Sequence, residues 1–308
     1  MMKVGCIGWG FTTQVPPYAP PYEEGIQATG ELGFDGIELI LHDPSDLETY
    51  WTPRKIDEIY RLYRSYNLTV SEFALYQNVV AGLPSLDRLA KEKSLEDFDR
   101  GCKLAKTLGA EIVNMVAQWP IGLKAPIAYP PSYFVVNPEG MQGFEPKLRM
   151  ELPKPFDWEA IWDNYVDSMR QCTEIAKRHG LRLALEGHAN VIVSHTDSFL
   201  RLFDRVSDPA LGTNFDVAWQ FIQREYIPMS IYKLGSRILH VHARDGDGTT
   251  CYSLPVGSGI LDWEGIIQAL KDVGYDGFLS LEMGRYTDPR RYRKESLDYL
   301  RDVIARVG

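Results

Sequence analysis

Short apolar runs alternate along this chain with longer stretches whose apolar positions recur every three or four residues. The runs fall at 3–9 (KVGCIGW), 36–41 (GIELIL), 69–76 (TVSEFALY), 111–118 (EIVNMVAQ), 182–188 (RLALEGH), 211–219 (LGTNFDVAW), 238–243 (ILHVHA) and 277–283 (GFLSLEM). They lack the strict polar alternation of half-exposed strands, which is the pattern of strands covered on both faces. Between them the periodicity predicts helices over 22–33, 52–66, 86–108, 157–179, 195–206, 225–234, 262–274 and 290–306. Thr52 and Pro53 open the second helix as N-cap and first turn, and Gly33, Gly109 and Gly180 close others. Strand–helix units in unbroken succession, with nothing left over for a second domain, predict an α/β chain folded as one (β/α)8 TIM barrel over 1–308. An open doubly wound sheet is the competing arrangement. Gly8 and Gly10 follow the first strand without a full GxGxxG, which disfavours it.

The rhythm breaks once, from Trp119 to Phe156, where Pro, Gly and aromatic residues crowd together. Loops after barrel strands usually run about 2–6 residues, so 119–156 reads as an insertion after strand 4, over the active-site face. Tyr129, Tyr133, Phe134 and Phe144 suit it to cover a substrate or to meet a second subunit.

Composition narrows the partners. Basic residues number 33 against 42 acidic ones, a net charge of −9 that disfavours nucleic acid and anionic membrane. No run approaches the roughly 20 apolar residues of a membrane span. The opening MMKVGCIGWGF leads straight into a strand rather than reading as a signal peptide. Cys6, Cys102, Cys172 and Cys251 are scattered without a CxxC pair, as reduced thiols are. The expectation is a cytoplasmic, oligomeric protein with a small-molecule partner.

The chemistry concentrates near the C-terminus. His240 and His242 stand two apart on the seventh strand and share a face, and Glu282 closes the eighth. Upstream, Glu186 and His188 share a face on the fifth strand, and Asp216 stands late in the sixth. In a barrel these strand ends converge, so Glu186, Asp216, His242 and Glu282 form a candidate metal set. Three carboxylates and one imidazole suit Mn²⁺ first, then Mg²⁺ or Co²⁺, with Zn²⁺ as the alternative. Carboxylates gathered this closely also need a cation to stay ionised. His188 is a candidate general base, or else an orienting partner of Glu186. His240 is expected deeper, in a packing role, and Asp245 to orient His242 or bind a hydroxyl. Glu38, His42, Gln118, Trp219, Arg244 and Arg285, with Tyr76 and Trp9, sit at or past strand ends where substrate contacts gather.

The segments ALEGH, NFDVAW, HVHARD, PVGSGILDW and GYDGFLSLEM, with GELGFDGIEL earlier, resemble the sugar phosphate isomerase/epimerase superfamily of xylose-isomerase-like barrels. The resemblance covers nearly the whole chain and puts Glu186, Asp216, His242 and Glu282 on the family's metal ligands. It implies that Glu186 and Glu282 act as an acid/base pair beside a carbon next to a carbonyl. The chain departs from the family's ketose epimerases at Trp219 and Ile192, where they carry His and Glu. The AP-endonuclease branch needs more histidines and a basic groove, against the six histidines and acidic balance here.

The expected activity is metal-dependent proton abstraction next to a sugar carbonyl, as in an isomerase or epimerase. The alternative is a carbon–carbon lyase resembling the catalytic subunit of C-glycoside deglycosidases, which works with a small second subunit. A non-catalytic sugar-binding barrel is the third reading.

Overall fold

Eight short strands close on themselves in sequence order, every neighbouring pair parallel. They are β1 (Lys3–Ile7), β2 (Gly36–Leu41), β3 (Thr69–Leu75), β4 (Ile112–Val116), β5 (Arg182–Glu186), β6 (Leu211–Asp216), β7 (Ile238–Ala243) and β8 (Phe278–Leu281). This computed structural model describes residues 2–11, 18–120, 154–248, 253–284 and 286–307. Helices α1 (Glu23–Leu32), α3 (Pro53–Ser65), α5 (Arg88–Thr107), α6 (Trp158–Arg178), α7 (Thr196–Val206), α9 (Ile227–Leu234), α10 (Trp263–Asp272) and α11 (Pro289–Val307) jacket the barrel. The single-domain barrel expected from the sequence is therefore the observed fold.

Local chemistry sets the boundaries. Thr52 caps α3 through its side chain, accepting from Lys55 N at 3.3 Å, with Pro53 at the first turn. Asp157 caps α6 by accepting from Ala160 N at 3.0 Å. Gly33 ends α1 at φ 86°, in the left-handed region where glycine pays no steric cost.

Three short helices were not legible in the apolar pattern: α2 (Asp46–Thr49), α4 (Gln77–Val80) and α8 (Val217–Ile222). The last corrects the sixth strand, which stops at Asp216 rather than running to Trp219. Asp216 Oδ1 accepts from Trp219 N at 2.8 Å and so caps a helix where the apolar run suggested strand. The first strand likewise ends at Ile7, where a turn returns Gly10 N to Ile7 O.

Two ladders slip by one residue. Glu38 of β2 pairs with Glu72 of β3 although Ile37 pairs with Val70, leaving Ser71 over. Asn214 of β6 pairs with His240 of β7 although Thr213 pairs with Ile238, leaving Leu239 over. Of the 119–156 insertion, 121–153 lies outside the described residues, as do Tyr129, Tyr133, Phe134 and Phe144. Among the described residues no helix is long and apolar enough to cross a membrane.

Candidate metal centre and active site

Strands β5 to β8 bring their last polar residues to one point. Glu186 ends β5, Asp216 ends β6, His242 is the fifth residue of β7, and Glu282 follows β8. His242 Nδ1 lies 3.0 Å from Glu282 Oε2, 3.4 Å from Glu186 Oε2 and 3.8 Å from Asp216 Oδ2. One donor atom from each of the four lies within 4.8 Å of the others. That spacing fits one ion with bonds of about 2.0–2.6 Å. Glu282 Oε2 is buried and accepts no hydrogen bond of good geometry, although His242 Nδ1 and Arg244 Nη2 stand 3.0 and 3.1 Å away. The donor set therefore fits a divalent metal.

The clustered carboxylates and imidazole shift one another's proton affinity. Burial opposes charge on His242, yet Glu38, Glu186 and Glu282 together lift its pKa well above the ordinary histidine value. Burial pushes Glu186 up, but the charge of His242 and the bond from His188 hold it well below the usual carboxylate range. Asp216 is raised by burial and by the neighbouring Glu186 and Glu282, against the pull of Arg244.

Around these four lies a ring of supporting groups. His188 Nε2 meets Glu186 Oε1 at 2.9 Å, and its ring stacks on Trp219 at 4.2 Å between centroids. Glu186 Oε2 accepts from Asn114 Nδ2 at 3.2 Å and from Asn214 Nδ2 at 3.3 Å. Arg244 donates from Nη2 to Asp216 Oδ2 and stands 3.1 Å from Glu282 Oε2, with its guanidinium 5.6 Å from the Trp219 ring centre. His242 is thus gripped from outside by the three carboxylates, which Arg244 holds in turn.

A second polar layer lies beneath. His242 Nε2 meets Glu38 Oε2 at 3.1 Å, and His240 Nε2 meets Glu38 Oε1 at 2.9 Å and Ser280 Oγ at 3.0 Å. Glu72 Oε1 accepts from Asn214 Nδ2 at 3.1 Å and lies 3.6 Å from His242 Nε2. Glu38 and His240 are 0% exposed. Glu38, expected among the substrate contacts, lies against the back of the His242 ring. A carboxylate there holds the ring so that Nδ1 faces the other three carboxylates. His240 is deep, as expected.

Asp245 also differs from expectation. It faces away from His242 and accepts from Gly246 N, Gly257 N, Leu261 N and Trp263 Nε1 at 2.9–3.2 Å. Its work is to staple the loop after β7. Gln118 is tied down as well, Nε2 donating to Val116 O at 2.6 Å while Ile192 N donates to its backbone carbonyl. His42 stacks on Tyr76 at 5.1 Å, Tyr76 faces Tyr18 at 4.8 Å, and Tyr18 meets Trp9 at 6.1 Å, an aromatic wall beside the centre. Burial and then the charge of Glu282 raise the Tyr18 phenol. Arg285 lies outside the described residues.

Sequence reasoning missed Glu72, Asn114 and Asn214. Asn214 carried a usable signal, standing two before Asp216 on the same strand face. Glu72 carried another, a carboxylate inside an apolar strand.

Comparison with known proteins identifies the family of this barrel. The family described as "Xylose isomerase-like TIM barrel" matches residues 26–303. Fructoselysine 3-epimerase of Escherichia coli O157:H7 is 22% identical over 289 residues, covering 92% of this chain and 94% of that protein. Inosose dehydratase of Mesomycoplasma hyopneumoniae strain J is 21% identical over 305 residues, covering 92% and 89%. An uncharacterised protein of Methanocaldococcus jannaschii is 26% identical over 167 residues, a match spanning 48% of this chain and 55% of that one. Among solved structures, an L-ribulose 3-epimerase superposes with a TM-score of 0.75 at 17% identity, covering 100% of this chain and 96% of that one. The chain belongs to the xylose isomerase-like TIM barrel family and is an enzyme of the isomerase/epimerase type.

Proposed function

We propose that this enzyme moves a proton at the carbon next to the carbonyl of a sugar or sugar derivative, with a divalent ion, Mn²⁺ first, held by Glu186, Asp216, His242 and Glu282. The observation that carries the reading is the convergence of these four donors, one from each of four consecutive strand ends, within 4.8 Å of one another. A bound dication supplies polarisation of the carbonyl and neighbouring hydroxyl oxygens. The chain's own residues do the rest. Glu186, held ionised by its surroundings, and Glu282, the most exposed of the four, stand as the proton-transfer pair. His188 orients Glu186 through Oε1 and shares its proton, and Trp219 backs the imidazole. Reprotonation on the other face or atom gives an epimer or isomer. The relatives named above act on a substituted ketose and on an inosose, so a substituted sugar is the expected class.

The aromatic wall from His42 to Trp9 favours one further reading, a lyase acting on an oxidised glycoside with a flat aglycone. In that case 119–156 serves the aglycone or a small second subunit. The test is a panel of ketoses, substituted ketoses and 3-oxo-C-glycosides incubated with Mn²⁺-loaded enzyme in deuterated water. Deuterium entering next to the carbonyl supports the proton-transfer reading, and aglycone release supports the lyase. Neither event with any member of the panel sinks both.

A further inference from the structure

The Arg244 guanidinium stands among the oxygens that a metal ion would need. Its Nη2 donates to Asp216 Oδ2 and lies 3.1 Å from Glu282 Oε2 and 3.9 Å from Glu186 Oε1. Asp216 has no second oxygen to spare, because Oδ1 is committed to capping α8 through Trp219 N. Glu282 Oε2 is shared in the same way, since it is also the oxygen nearest His242 Nδ1.

We infer that Arg244 is an internal counter-ion that holds Asp216, Glu186 and Glu282 together without metal and gives up those oxygens when a divalent ion enters. The inference rests on the metal reading above. Two arguments support it. A guanidinium and a dication cannot share Asp216 Oδ2 and Glu282 Oε2 without strong repulsion at a separation of a few ångströms in a buried site. The neighbouring backbone is also fixed, Ala243 in the β7 ladder and Asp245 by its loop staple, so the change falls on the arginine side chain alone. The displaced guanidinium has a surface beside it, the Trp219 ring, where an arginine rests favourably. From there it faces the substrate side of the centre and can donate to a substrate oxygen. One side chain then neutralises the centre when it is empty and binds substrate when it is loaded.

The test is Mn²⁺ binding to metal-stripped protein, followed by the electron paramagnetic resonance signal of free Mn²⁺. Arg244→Gln is expected to bind Mn²⁺ at least about tenfold more tightly than wild type, because an internal competitor is gone. Arg244→Lys keeps the charge and guards against a folding failure of the first variant; it should bind with intermediate affinity. A crystal structure of the Mn²⁺-loaded wild type should show the guanidinium off Asp216 Oδ2. Equal or weaker Mn²⁺ binding by both variants overturns the exchange while leaving the metal reading standing. So does a loaded structure that keeps the contact. Absence of Mn²⁺ binding in wild type and both variants overturns the metal reading and the exchange with it.

Discussion

His242 belongs to two polar layers, one through each ring nitrogen, and the layers are closed in opposite ways. Toward the barrel mouth, Nδ1 meets Glu186, Asp216 and Glu282, carboxylates that are also met by Arg244 and, at Glu186, by His188. Toward the floor, Nε2 meets Glu38, which His240 also holds, and Glu72, which accepts from Asn214. The residue types are the same. The difference is access: Glu282 keeps 17% of its side chain exposed, whereas Glu38 and Glu72 keep none. A carboxylate reachable from the rim can meet a substrate, whereas those enclosed in the floor can act only through their neighbours.

The largest effect should come from the mouth layer. Glu282→Gln is expected to lower kcat for proton exchange by about 10²–10⁴, the usual cost of losing a general acid or base. The rate of deuterium incorporation measures it, and near wild-type turnover would remove Glu282 from the proton-transfer pair. Glu38→Gln probes the floor and should act more gently, weakening metal binding by about 10–100-fold with the fold retained. Metal titration and thermal unfolding of the same sample separate the two effects. An unchanged dissociation constant would mean that the floor only packs.

The smallest effect lies outside the barrel, where a half-buried cluster serves as the contrast to both layers. Glu23 accepts from Lys55 Nζ at 2.6 Å and from Tyr50 Oη at 3.0 Å. Burial raises its carboxyl, but those bonds outweigh burial and leave it below its ordinary value of 4.5. A folded-state value depressed in this way stabilises the fold above the unfolded value and is lost as the pH falls through the folded one. Glu23→Gln should therefore cost less than about 1 kcal/mol at pH 7, since the group is still partly solvated. Urea unfolding at pH 7 and again near pH 2 checks this. A stability gap that persists in acid would show that charge is not its origin.

The barrel and its four-donor centre were legible because each rests on local pattern. Uninterrupted apolar runs mark strands buried on both faces, and a lone carboxylate or imidazole at the end of such a run stands out. What sequence spacing could not supply was depth. Glu38 and His242 both read as polar residues near strand ends, and only the assembled barrel puts one beneath the other. Asp245 misled for a similar reason: its partners Gly257, Leu261 and Trp263 are 12–18 residues away, tied by a loop whose path no periodicity encodes. Trp219 read as strand because a capping aspartate looks the same as a strand-end ligand until the chain turns, and Asp216 is both.

The two slipped ladders set a condition on anyone who would move this centre into another scaffold. In a barrel of uniform register, Glu38 would lie opposite Ser71, and Asn214 opposite Leu239. Because paired residues share a face, Glu72 and His240 would then turn outward among the helices. The extra residues at 71 and 239 correct the phase just before each is needed, so that Glu72 lies beside Glu38 and His240 beside Asn214. A transplant that copied the ligands onto ideal strands would lose the floor and turn His242, two residues beyond His240 on the same face, out of the mouth as well. The portable unit is the ligands together with two deliberate irregularities of backbone.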